Sequence, residues 1–543
     1  MERTRGRSLL LTGSLLILLM AAPVQAYSIF GDEVETFLKE KVAFGGFIEN
    51  TTGLAIGPDG DRRHFNTSNR FVMNRLTIQP EFNVDFHQSA KFFISWRFVK
   101  EPRYNMEARS RRRSVSPAAA AQPLESTFYD EDSLKPWEAV LDLKPTDLLH
   151  LRLGRQFISW GETDGIRILD VINPQDTTFS PPFAPNLFSL DETRIPTWGV
   201  RAFYTVQPVT NSIMEFFALP GFEEAKQRVD DVLGSNDTAD ARVRYGRWSS
   251  HPETRMPFGC LFRAPVGGTC APIVTRQHPD AGDNWKLGTR ITHNFGALNL
   301  GLGYIWGFNP QGADQVFKFR SPGAGPVVNL RLINDRASLF AGQFNYTVAQ
   351  IAGIPFNTAI RGELLFYPDK LYNVSEFPGR SCTTGALTGF KAGPSCKYRN
   401  QIVEKHTIRY ALGFDRSVLI PFLQEDPWRA FGLSFQLIQS IIPDHEDGIR
   451  VFSTADKLDK VTTTLTFRVS TGYLGDTILP DIFLAYDPAG YWAANPAVSY
   501  VPPWNEKIKL TLTAVVLGGH NKFSSIGLFS EKDSIFLKMR YQF

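Results

Sequence analysis

Apolar and polar residues alternate with a period of two in segment after segment of this chain. In one run Val72, Asn74, Leu76, Ile78, Pro80, Phe82, Val84 and Phe86 share a face. Met73, Arg75, Thr77, Gln79, Glu81, Asn83 and Asp85 lie on the other. Phe92, Ile94, Trp96 and Phe98 alternate with Ser95 and Arg97, and Ile408, Tyr410, Leu412 and Phe414 with Thr407, Arg409 and Asp415. Ile508, Leu510, Leu512, Ala514 and Val516 repeat the pattern against Lys507, Lys509, Thr511 and Thr513. Successive strand residues point to opposite faces, so each run predicts a strand with one apolar and one wet face. Runs of about ten residues or slightly more have the length of a transmembrane β-strand. Soluble sandwiches alternate too, but long runs in series favour lipid outside and water inside. Lipid offers nothing to an unpaired backbone group, so such a sheet has to close on itself.

The connections alternate as well. Short turns fall at His87-Gln88-Ser89, Pro145-Thr146-Asp147, Gln207 to Asn211 and Asn294-Phe295-Gly296. Long ones fall around 53–69, 104–133, 158–193, 220–284, 308–330, 369–400, 441–458 and 490–503. This rhythm predicts an all-β fold: one antiparallel transmembrane barrel of about 16 strands, with 14 and 18 also open, and long extracellular loops. Helical periodicity is nearly absent, apart from one short helix expected over Asp32 to Lys41.

Composition agrees, with 43 Phe, 16 Tyr and 43 Gly against 7 Met and 4 Cys. The first 26 residues stand apart. Arg3, Arg5 and Arg7 precede an apolar run from Leu9 to Ala22, and Val24-Gln25-Ala26 supplies small residues for cleavage. That is the pattern of a secretory signal peptide, leaving 27–543 as the barrel. In an exported protein Cys260 with Cys270, and Cys382 with Cys396, read as two loop-stapling disulfides.

A formal net charge of +3 gives no reason to expect a nucleic-acid partner. Arg109 with Arg111, Arg112 and Arg113 suits lipopolysaccharide phosphates, although a solvated loop explains the cluster too. The inward faces carry more. Arg75, Arg97, Arg152, Arg361, Arg409 and Arg468, with Glu81, Asp85 and Glu363, are expected to line the lumen, since a charge facing lipid is costly. They either brace the wall in ladders or line a wet path, where the excess of bases favours carboxylate-bearing solutes.

One segment, 155–192, is unlike the rest. Arg155, Trp160, Glu162, Asp164, Arg167, Asp170, Asn173 and Asp176 crowd into it, with Gly161, Gly165 and a Pro- and Phe-rich stretch. Its acids match the arginines of the wall, so it is expected to fold inward as a constriction or plug; a rim loop capping the barrel is the alternative. Catalysis, a metal and a cofactor are not expected: there is no G-x-S-x-G, H-E-x-x-H or P-loop pattern.

The last strand places Ile535, Leu537, Met539, Tyr541 and Phe543 on one face. Its terminal aromatic resembles the assembly signal of Gram-negative outer-membrane barrels, which implies insertion by the barrel-assembly machinery. Gly154-Arg155-Gln156 with Trp160-Gly161-Glu162, then Val171-Ile172-Asn173-Pro174 and Asp176, resembles a bacterial family catalogued as domain of unknown function 1302. So do Arg194-Ile195-Pro196-Thr197-Trp198 and Arg361-Gly362-Glu363-Leu364. The resemblance implies a Gram-negative outer-membrane barrel. Such proteins accompany exported lipid-carrier-like proteins and large inner-membrane transporters, which implies traffic of a hydrophobic or lipidic compound and a periplasmic lipid-carrier-like partner. The expected function is passive passage or hand-over of a small hydrophobic or carboxylate-bearing solute or lipid. A non-conducting scaffold docking a periplasmic carrier and a barrel sheath for an electron-export complex are the alternatives.

Overall fold

The alternating runs become one continuous antiparallel sheet. The computed structural model describes residues 40–56, 71–100, 135–174, 194–206, 212–221, 273–277, 284–308, 314–320, 327–333, 336–351, 354–376, 399–424, 429–450, 458–520 and 532–543. In chain order the wall comprises β1 (Val42–Ala55), β2 (Phe71–His87), β3 (Ala90–Ser95, resumed by Phe98–Lys100), β4 (Glu138–Thr146), β5 (Leu149–Gln156) and β6 (Thr197–Val206). Next come β7 (Ser212–Leu219), β8 (Lys286–Phe295), β9 (Leu298–Phe308), β10 (Arg336–Ile351), β11 (Ile354–Glu376) and β12 (Arg399–Val418). The circuit ends with β13 (Phe431–Ile441), β14 (Val461–Ser470), β15 (Ile478–Asp487), β16 (Tyr491–Tyr500), β17 (Ile508–Gly519) and β18 (Ser534–Gln542). Each strand pairs antiparallel with the next, and β18 pairs back onto β1 from Phe47↔Gln542 to Ala55↔Ser534. The sheet is therefore a closed barrel of 18 strands, more than the 16 expected from the pattern.

Part of the difference has a local cause in β16, whose residues fall in the connection expected over 490–503. Tyr491-Trp492-Ala493-Ala494-Asn495-Pro496-Ala497-Val498-Ser499-Tyr500 dilutes the alternation with alanines and a proline. Pro496 has no N–H to give the ladder, and the β16–β17 register lapses between Ala494↔Val516 and Ala497↔Thr513. The Asn495 side chain fills in, donating from Nδ2 to the Ala514 carbonyl at 2.8 Å. The long connections also hold structure of their own. Ile273–Gln277, Val327–Ile333 and Asp314–Arg320 form a separate three-stranded sheet. Ile449–Arg450 pairs with the upper part of β11. Of the expected helix over Asp32 to Lys41, only Glu40 and Lys41 are described, and both are helical.

The two faces of the wall are inverted relative to a soluble protein. Leu302, 68 % exposed, stands on the outside with Phe340, Leu364, Phe414, Phe435, Phe467 and Leu484 on neighbouring strands. The other face buries Glu49, Arg75, Thr77, Gln79, Glu215, Glu363 and Lys538. An apolar belt of this extent exceeds what a soluble monomer exposes and suits lipid. At the start of β2 the alternation is broken. Val72 is buried rather than outward, because β1 and β2 slip register at Gly53/Leu54 and both Val72 and Met73 turn inward. Among the described residues no helix is long and apolar enough to cross a membrane.

One end of the barrel carries the tight turns Gln88-Ser89, Asp147-Leu148 and Gly296-Ala297, and the other the long connections. Both described ends of the chain lie at the short-turn end. There Phe543 donates its backbone N–H to the Gly46 carbonyl at 3.1 Å and sets its ring 5.3 Å from that of Phe44.

Candidate functional site

At the long-connection end, β5 stops and the chain turns inside. Gly154 makes the bend at φ +127°, where a side chain would be strained, with its Cα against Ala139 of β4. The residues that follow, 157–174, carry no regular ladder, and beside a few local backbone bonds their polar groups bond to side chains. Asn173 closes the neck. Its Oδ1 accepts from Ile158 N at 2.7 Å, and its Nδ2 donates to the Ile195 carbonyl at 3.0 Å and to Thr197 Oγ1 at 3.1 Å. Arg155 does not reach the lumen but clips the strand ends, donating to the carbonyls of Pro196 at 3.1 Å and Pro136 at 3.2 Å. Asp170 organises the interior of the segment. It accepts from Ser159 Oγ at 2.6 Å and pairs with Arg194 Nη2 at 2.7 Å, both side chains buried.

The segment lies against the inner faces of β7 to β13. Ile158, Trp160, Ile168, Leu169, Val171 and Ile172 form an apolar core with Phe217, Ile305, Leu339, Leu365 and Ile438 of the wall. Trp160 is its anchor. The indole meets the Phe217 ring at 5.6 Å, and Gly303 leaves it room, since a Cβ there would come within 2.7 Å of the ring. Its Nε1–H donates to Glu215 Oε1 at 3.1 Å. Glu215, 2 % exposed, also accepts Arg201 at 2.6 Å and Arg290 at 2.7 Å. One carboxylate thus satisfies two guanidinium groups and an indole.

The tip is held by a second carboxylate. Glu363 accepts the backbone N–H of Glu162, that of Thr163 at 2.7 Å and that of Leu169 at 3.2 Å. Beside it Arg361 bridges Asp164, at 3.0 Å, and Asp415, at 2.5 Å, and donates to the Glu162 carbonyl. Gln436 Nε2 adds 3.0 Å to Asp164 Oδ2, and Asn345 Nδ2 lies 3.2 Å from Glu162 Oε2. Backbone carbonyls are used as well. Arg409 donates to the Arg167 carbonyl at 3.0 Å, and Lys286 to that of Ile172 at 3.0 Å.

The remaining candidates sit elsewhere on the wall. Arg97 donates to Gln79 Oε1 at 2.8 Å and covers the Trp137 ring, while Gln79 donates to Glu81 at 2.7 Å. Arg75 is buried on β2. Arg152 shares Asp142 with His150, at 3.7 Å and 2.8 Å, and Arg468 pairs with Asp481. Asp85 pairs with Lys91 at the exposed short-turn rim. Asp176 and all four cysteines lie outside the described residues.

Glu215, Arg201, Arg290, Lys286 and Gln436 are residues that sequence reasoning did not select. The signal was present for Glu215, which interrupts Ile213-Met214 and Phe216 on a short alternating strand. Nothing local announces that three donors converge on it, because they come from β6, β8 and the inward segment. The Ser212 hydroxyl meets His293 Nδ1 at 2.7 Å, but among the described residues no carboxylate orients that histidine. No cluster of three metal-ligating side chains occurs among them either.

The fold is similar to solved structures at low sequence identity. Pseudomonas aeruginosa OccK3 (OpdO) is 9 % identical over 94 % of this chain and 97 % of its own, with a TM-score of 0.43. Acinetobacter baumannii OccAB3 is 8 % identical over 92 % and 99 %, with a TM-score of 0.44. The Pseudomonas aeruginosa outer membrane protein opdK is 8 % identical over 93 % and 99 %, with a TM-score of 0.42. No curated protein matches the chain in sequence. The family described as protein of unknown function (DUF1302) matches residues 7–543, and the chain belongs to it.

Proposed function

We propose that this protein is a passive outer-membrane channel of a Gram-negative bacterium, its lumen narrowed by residues 157–174. The observation that carries the reading is the inward segment itself. A closed barrel with an apolar belt needs no such segment for stability in lipid. Here it is nonetheless seated across seven inner strand faces by Glu215, Glu363, Arg361 and Lys286. A fixed, charged constriction selects what passes by size and hydrogen bonding without performing chemistry. The short-turn end faces the periplasm in this reading, and the long connections face outward.

A second reading has its own support. On the wall away from the segment, Glu49, Arg75 and Lys538 are almost fully buried, and Lys538 pairs with Glu49 at 3.0 Å. A barrel so filled on that side fits a sealed scaffold that docks a periplasmic partner. Conductance in planar bilayers separates the two. A channel shows steady conductance that rises in a folded variant lacking residues 160–174; silence from both proteins favours the scaffold.

A further inference from the structure

On the short-turn side of Asp164 the inner faces of β10 to β14 leave a chamber of about 450 Å³. That lies within the roughly 300–1,000 Å³ usual for small-molecule sites. We propose that it is a binding site for a neutral, polyhydroxylated solute of monosaccharide to small disaccharide size. The inference rests on the channel reading above and assigns a substrate class to it.

The lining decides the class. Thr347, Asn357, Thr358, Ser417, Ser434 and Ser470 present hydroxyls and an amide, and Ala359 and Leu433 are the apolar members. Polar and apolar surface share the lining about equally, as the hydroxyl edges and C–H faces of a sugar do. The charges that reach the chamber are already answered. Asp164 and Asp415 share Arg361, Arg468 is paired with Asp481, and Arg416 is engaged too. A carboxylate entering the chamber would shed water without gaining a free counter-charge, which is costly. A neutral polyol avoids that cost. Each serine or threonine hydroxyl donates once and accepts twice, so the lining can turn to match a ring of hydroxyls. The Ser434 hydroxyl is buried on the inner face with no hydrogen-bond partner. Asp164 forms the roof of the chamber and belongs to the inward segment, so occupancy and the position of that segment are linked.

Isothermal titration calorimetry on the purified full barrel in detergent tests the site, with maltose and, separately, benzoate as probes. The expected result is saturable heat with maltose, none with benzoate, and loss of the maltose heat in Ser434→Leu and Ser470→Leu. Both variants should keep the wild-type unfolding midpoint. Heat with benzoate alone, no heat with either probe, or maltose heat unchanged in both folded variants would overturn the proposal. Should one variant fail to fold, the other decides. Calorimetry does not depend on conduction. A barrel that binds maltose yet is silent in bilayers would retain the site and refute the channel reading. A conducting barrel that does not bind maltose would do the reverse.

Discussion

Glu215 shows what a single inward residue can be asked to hold. Its two oxygens answer Arg201, Arg290 and the Trp160 indole, and it has almost no contact with water. Removing one partner of a buried ion pair costs more than the pair is worth, about 3–5 kcal/mol, because the survivors remain buried and unpaired. Glu215→Ala is therefore expected to lower the unfolding free energy of the detergent-solubilised barrel by that order, read as a fall in its urea midpoint. Glu215→Gln, which can still accept from Trp160, should lose less. An unchanged midpoint in both would mean that the site relaxes or admits water. Glu363 is a different case, because its partners are backbone amides of the segment. Glu363→Ala should leave the wall intact and expose the amides of Thr163 and Leu169 to faster hydrogen exchange, each lost bond to a charged acceptor being worth about 1.5–3 kcal/mol. Both acids interrupt an alternating strand, but only Glu363, in Arg361-Gly362-Glu363, was expected to line the lumen. The convergence on either acid depends on inter-strand register, which a period-two pattern does not encode.

At the scale of the element, the inward segment was conspicuous by composition, but its seating was not. A loop dense in Trp, Gly, Asp and Arg could cap the rim or enter the barrel. What separates the outcomes is the neck, where Asn173 ties Ile158 to the chain returning at Ile195 and Thr197. That neck depends on contacts between residues about twenty positions apart, invisible to any local rule. Strand β16 is the opposite failure. Its inner and outer residues alternate faithfully, yet Pro496 and three alanines lower the signal below that of a loop. The seating can be tested directly. Arg361→Ala removes the bridge to Asp164 and the bond to the Glu162 carbonyl. Together these charge-assisted bonds are worth about 1.5–3 kcal/mol each, and every 1.4 kcal/mol is roughly tenfold in a population. The segment should therefore leave its seat more often by about two to four orders of magnitude, read as longer dwells in a higher-conductance state. Single-channel records indistinguishable from wild type would place the narrowest point elsewhere.

At the scale of the molecule, both the sequence and the structure place apolar side chains where water would have to be. The alternation that predicted strands is the same alternation that sets Leu302, Phe340 and Leu364 outside and Arg290, Gln343 and Glu363 inside. Strand number was less legible than face, since it needs every strand end, whereas face needs only one alternating run. The outer surface therefore carries a prediction independent of what the lumen does. Leu302 stands near the middle of β9, flanked by Leu300 on the same face. If that face meets hydrocarbon, Leu302→Arg should cost about 2–4 kcal/mol at the bilayer midplane. The loss should show as a smaller folded fraction in phosphatidylcholine vesicles, with folding in detergent micelles less affected because a micelle deforms around the charge. Placing the same arginine at Phe295, an outward position beside the Gly296-Ala297 turn, should cost about 1 kcal/mol or less, since depth sets the penalty. Equal effects at the two depths, or none at Leu302, would mean that the belt is covered by protein. The apolar face would then have to be read as an assembly interface instead of a lipid surface.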